Sequence, residues 1–122
     1  MLGESQRARL VARRPLSPRV SELTLELEPG APFRWLAGQH VLVGATSSVD
    51  RYAFSIAHAD DGREPARIVL AVGHASSAES LLAVPAGGEL VVLGPFGSFT
   101  WRAAPGALLV GVGTGVAPLK GL

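Results

Sequence analysis

Four stretches of this chain combine residue types that could do chemistry. In Arg51-Tyr52-Ala53-Phe54-Ser55-Ile56-Ala57, an aromatic and a hydroxyl sit among small apolar residues. On an extended strand, Phe54 could cover a flat heteroaromatic ring in the geometry that aromatic pairs favour. The Ser55 hydroxyl and nearby backbone could then bond the ring's polar rim. An aromatic filling an ordinary core would read the same way. Gly73-His74-Ala75-Ser76-Ser77 is the second stretch. Gly73 allows close backbone approach, and a helix after it would point free N–H groups outward from Ser76 and Ser77. That arrangement suits a diphosphate without any lysine, although a plain Ser-capped helix has the same residues. The third, Gly94-Pro95-Phe96-Gly97-Ser98-Phe99, reads as a turn with two aromatic plugs closing the end of a β structure. In the fourth, Gly113, Thr114 and Gly115 lie between an apolar run and Pro118. A glycine-rich turn from strand to helix commonly cradles a nucleotide.

Composition removes other chemistries. There is no cysteine, which excludes disulfides, thiol catalysis and cysteine-ligated iron–sulfur clusters within these 122 residues. His40, His58 and His74 lack metal-ligand spacing, and no general base or covalent nucleophile is evident. The net charge is +1 with both signs interspersed, so no basic stripe implies nucleic acid. Met1–Arg9 is too polar for a signal peptide. The longest apolar run, near the C-terminus, is too short and glycine-rich to span a bilayer. A soluble cytoplasmic protein is the expectation.

These stretches need elements to hold them. Leu10-Val11 opens a first short strand that runs to Pro15 and Pro18. From Val20 to Glu28, leucines alternate with Glu and Thr, burying Leu23, Leu25 and Leu27 on one face. Further strands are expected over His40–Val43, Tyr52–Ile56, Arg67–Val72 and Glu89–Leu93, the last stopped by Gly94-Pro95. Ser76 to Ala83 reads as one short helix. Six short strands with a late helix point to an antiparallel barrel over residues 1–105. Ala107–Val112 is apolar without alternation, the pattern of a strand buried on both faces of a parallel sheet. Residues 106–122 are therefore expected to open a second, incomplete α/β domain, the alternative being a tail folded on the barrel.

In order and spacing, the four stretches resemble the ferredoxin–NADP reductase superfamily, from about Arg9 to the C-terminus. "PFRWLAGQHVLV" is similar to that family's Gly-Gln strand lead-in, and "YAFSIA" falls where it has Arg-x-Tyr-Ser. "VGHASSAESLLAVPAGGELVVLGPFGSFT" resembles its phosphate-binding turn, helix and GPFG strand end. "LLVGVGTGVAPL" resembles the first strand and loop of its nicotinamide domain, and is the most specific of the four. The resemblance implies a six-stranded Greek-key barrel binding FAD, or FMN in some members, followed by an NAD(P)H-binding domain. Phe54 takes the place of the ring-stacking tyrosine. Ser55 takes that of the serine near the flavin's reactive nitrogen, the one catalytic assignment. Gly73, Ser76 and Ser77 would hold the diphosphate, and Gly113, Thr114 and Gly115 would sit beside the nicotinamide.

Two residues depart from the pattern. The phosphate-binding arginine of the family falls at Tyr52. Arg51 is adjacent, but one step along a strand turns a side chain to the other face. A bulge restoring Arg51, a hydrogen bond from Tyr52, or weak binding are the alternatives. Phe54 also lacks the phenol hydroxyl, removing a hydrogen bond of about 0.5–1.5 kcal/mol. The implied activity is electron transfer from NAD(P)H through the flavin to a protein or small acceptor. A separate nicotinamide or iron–sulfur subunit is a further partner, and a dimer through the C-terminal strand another expectation. A non-catalytic barrel, kept as an interaction module, is the rival class.

Overall fold

The computed structural model describes residues 5–74 and 79–97. They form strands β1 (Ser5–Ser17), β2 (Val20–Leu27), β3 (His40–Ala45), β4 (Tyr52–Ser55), β5 (Arg67–Gly73) and β6 (Glu89–Phe96), with one helical turn, α1 (Glu79–Leu82), between the last two. The period-two pattern of β2 is realised without exception: Ser21, Leu23, Leu25 and Leu27 are buried, and the residues between them are partly exposed. β5 presents Ile68, Leu70 and Val72 to the same core. The two strands pair with Leu23 opposite Leu70 and Leu25 opposite Ile68, so cross-strand apolar pairs lock the register. Burying each such side chain stabilises the fold by about 1.5–3 kcal/mol relative to exposure. A slip of one residue would turn every one of them outward.

The antiparallel sheet has the order β4-β3-β6-β1-β2-β5. It curls until its two outer strands approach, and there they meet at a single bridge between Ile56 and Leu70. The Ala57 amide adds a bond to the Val69 carbonyl at 2.8 Å. The six-stranded antiparallel barrel expected from the sequence is present, with this seam incompletely closed.

Three elements differ in extent from expectation. β1 runs thirteen residues and passes through Pro15. β1 pairs with β6 only over Ser5–Arg9, so beyond Leu10 it lies outside the β6 ladder, where a missing amide is tolerated; register shifts at Leu10/Ala12 and Pro15/Ser17 absorb the irregularity. β6 likewise continues past Gly94-Pro95 to Phe96, which pairs with His40. Gly94 takes a φ of 133°, open to glycine alone, and the strand bends there rather than stopping. The described part of the helix is one turn, Glu79–Leu82. The segment 75–78 and residues 98–122, with the expected strand, loop and second domain, lie outside the described residues.

Candidate functional site

Three of the sequence-derived residues, Tyr52, Phe54 and Gly73, lie on the two strands that meet at the β4–β5 seam. Val41 lies opposite Phe54 and Val43 opposite Tyr52. Both valines are fully buried, so Tyr52 and Phe54 share the core-facing side of β4. Phe54 is only partly buried and packs against the rim of the core. From the Ile56–Leu70 bridge, an antiparallel arrangement carries Phe54 and Tyr52 up one wall of the seam and Val72 and His74 up the other. At the top of the second wall Gly73 pairs with Val20, and a Cβ added to it would meet no described atom within 4 Å.

The segment leaving β5 is fixed at its start by a pair of residues the sequence reading missed. His74 donates its amide to the Arg19 carbonyl at 2.8 Å, and its Nε2 lies 2.7 Å from the Ser21 hydroxyl. Ser21 occupies an inward position of β2 with 6% exposure. A serine among the inward-facing leucines of β2 was the available signal, since a buried hydroxyl needs a partner.

Ser55 faces away from Phe54. It pairs with His40 on the outer side of β4 and β3, and the His40 ring in turn lies 5.7 Å from that of Phe96. Arg51 also lies off the seam. Its Nη1 donates to the carbonyls of Ser48 at 2.7 Å and Asp50 at 2.8 Å, and it crosses over Gly44, where a Cβ would sit 2.7 Å from that nitrogen. No bulge returns it to the face of Tyr52. Thus Tyr52 and Phe54 share the core-facing side of β4, Gly73 lies on the neighbouring wall with its Cα turned to the outer side like Ser55, and Arg51 is bonded away from the seam. Ser76, Ser77, Gly113, Thr114 and Gly115 lie outside the described residues.

The flanks of the seam are held by Gln39. Its carbonyl accepts the Ile56 amide at 2.9 Å, its Oε1 accepts the Leu36 amide at 2.8 Å, and its Nε2 donates to the Gly97 carbonyl at 3.0 Å. Through its side chain and its main-chain carbonyl, this one residue ties the lead-in to β3, the end of β4 and the turn after β6 together. Trp35 buttresses the same region: its indole N–H donates to the His58 carbonyl at 2.8 Å, and the two rings meet edge-on at 5.2 Å. Among the described residues no three His, Asp or Glu cluster as a metal site, and no helix is long and apolar enough to cross a membrane. A cleft of about 300 Å³ beside Arg7, Glu26, Glu28 and Glu89 lies at the other end of β2 from Gly73.

No protein-family model matches the sequence. It is 42% identical to ferredoxin–NADP reductase B of Sorangium cellulosum over 129 aligned residues, covering 98% of this chain. The chain spans about half of that relative, 51% of its length. Among solved structures, the fold matches the ferredoxin reductase in carbazole 1,9a-dioxygenase with a TM-score of 0.79 at 22% identity, over 96% of this chain and 37% of the other. An Amycolatopsis cytochrome P450 reductase matches with a TM-score of 0.79 at 26% identity, over 97% of this chain and 37% of that one. A point mutant of the Plasmodium falciparum ferredoxin–NADP+ reductase matches with a TM-score of 0.76 at 15% identity, over 95% of this chain and 51% of that one. Strand order, curled sheet and sequence similarity agree, and the chain belongs to the ferredoxin–NADP reductase superfamily.

Proposed function

We propose that this chain binds a flavin along the β4–β5 seam, and that in the whole protein it serves an oxidoreductase moving electrons from NAD(P)H to an acceptor. The observation that carries this reading is the seam itself. A partly exposed aromatic, Phe54, stands on one wall, and an unobstructed glycine backbone, Gly73, on the other. The residues fit a flat ring with a phosphate tail, since one wall offers stacking and the other close main-chain approach. A reductase of the same fold is described in an FAD apo form, which supports FAD as the ligand; FMN shares its ring and one phosphate.

In this reading Phe54 covers one ring face and excludes water from it. Tyr52, on the same side of β4, offers a neutral hydroxyl toward the tail. Gly73, with Ser76 and Ser77, receives the diphosphate. Ser55 is assigned to the ring's polar edge, and Gly113, Thr114 and Gly115 to the nicotinamide. The flavin, when bound, supplies hydride and electron transfer, and the protein supplies position and electrostatics. An acceptor protein, or a separate nicotinamide or iron–sulfur subunit, completes the reaction. One observation favours the rival non-catalytic barrel: among the described residues, β4 turns no cation toward the seam, because Tyr52 is neutral and Arg51 is bonded elsewhere.

The test is to purify the chain, supply FAD in excess, remove the unbound fraction, and identify any retained flavin by absorbance and mass. Retention in one-to-one proportion is expected. Colourless protein after that treatment would leave the non-catalytic barrel as the better reading.

A further inference from the structure

A phosphate tail in the seam needs a positive charge that β4 does not provide. The arginines of the described residues are mostly committed. Arg14 pairs with Glu22, Arg67 and Arg9 with Glu26, Arg34 with Asp60 and Glu64, and Arg63 with Asp61. Arg13 bonds the Val84 carbonyl, and Arg51 those of Ser48 and Asp50. Among the described residues this leaves Arg7 and Arg19 without a carboxylate or carbonyl partner. Arg7 lines the distant cleft near Glu28. Arg19 occupies the two-residue turn between β1 and β2, since Ser17 pairs with Val20. Its own carbonyl accepts the His74 amide at 2.8 Å, and its neighbour Val20 is the strand partner of Gly73. Among the described residues, the one uncommitted guanidinium at this end of the barrel is thus attached to the backbone from which the segment after Gly73 departs.

We propose that Arg19 is the phosphate ligand of the flavin site, supplying from the β1–β2 turn the charge that position 52 lacks. This rests on the flavin reading above. The His74 bonds to Arg19 and Ser21 make the contribution specific, because they hold the turn and the start of the phosphate segment as one unit. An exposed guanidinium stays charged at all working pH values and offers paired donors to phosphate oxygens.

The experiment is a set of equilibrium titrations of the chain with FAD, FMN and riboflavin, followed by quenching of flavin fluorescence. Arg19→Ala is expected to weaken FAD and FMN binding about tenfold, the scale of one charge-assisted hydrogen bond, and to leave riboflavin unchanged. Arg51→Ala is expected to alter none of the three ratios. Adding Tyr52→Arg to Arg19→Ala is expected to restore FAD binding. Circular dichroism of each variant separates loss of fold from loss of ligand. FAD affinity unchanged by Arg19→Ala, or an equal loss for riboflavin, would overturn the assignment while leaving the flavin reading intact. An unmodified chain that binds none of the three ligands overturns both.

Discussion

In the proposed flavin site, Phe54 and Tyr52 are the residues whose substitution tests the reading at the scale of single side chains. Phe54 is placed for stacking and also packs on the core rim. Phe54→Ala is expected to weaken flavin binding several-fold, from loss of a ring contact of about 0.5–1.5 kcal/mol, and to lower stability modestly. Phe54→Leu separates the two effects, keeping apolar contact while removing the ring; it should recover stability without recovering affinity, read by thermal melts beside flavin titration. Tyr52→Arg alone is expected to tighten FAD binding about tenfold while leaving riboflavin unaffected. An exposed turn gives a separate, pH-based check. The Arg63 amide donates to Asp61 at 3.0 Å and holds its carboxyl below the ordinary value of 3.8. A carboxyl depressed in the fold contributes while ionised, and its contribution is lost only as pH falls through that lowered value. The Asp61 carboxyl carbon followed by NMR should titrate below 3.8, and from pH 5 to 8 the turn should not change.

The strands were the most legible part of the sequence, because alternation reports burial directly. Leu23, Leu25 and Leu27 fell on the inner face as their spacing required. Strand ends were less legible for a physical reason: Pro15 and Gly94-Pro95 are usual stop signals, but here each sits at a register shift that the ladder accommodates. For Arg51 the sequence leaves open whether a bulge restores it to the face of Tyr52; the β3–β4 ladder runs without a register shift, and strand periodicity keeps it on the other face. What it does there was not legible, since its partners are main-chain carbonyls that no side-chain pattern reports. Gly44 belongs to the same contact. A Cβ at that position would overlap the Asp50 carbonyl oxygen and crowd Arg51. Gly44→Ala is therefore expected to destabilise the domain by roughly 1–3 kcal/mol, the usual cost of overpacking, seen as a lower Tm. The clamp of His74 on Ser21 joins residues 53 positions apart, a separation that spacing arguments do not reach. Ser21→Ala should lower Tm by a few degrees through the lost bond, with FAD affinity falling more than riboflavin affinity as the phosphate segment loosens.

At the scale of the whole molecule, the described sheet curls until β4 and β5 meet at one bridge, and the two strands diverge from it. Curling buries the apolar faces of β2, β3, β5 and β6 and the Ala8–Leu10 part of β1. The single Ile56–Leu70 bridge then sets where the walls diverge, and every candidate contact to the ring lies beyond it. Amide hydrogen exchange with and without FAD tests the proposal that the β4–β5 seam is a flavin site. Added FAD is expected to slow exchange at Tyr52–Ser55 and at Val72–His74, while amides lining the distant cleft around Glu26 to Pro29 stay as they were. Exchange unchanged along both walls at saturating FAD, or protection confined to the cleft, would contradict it.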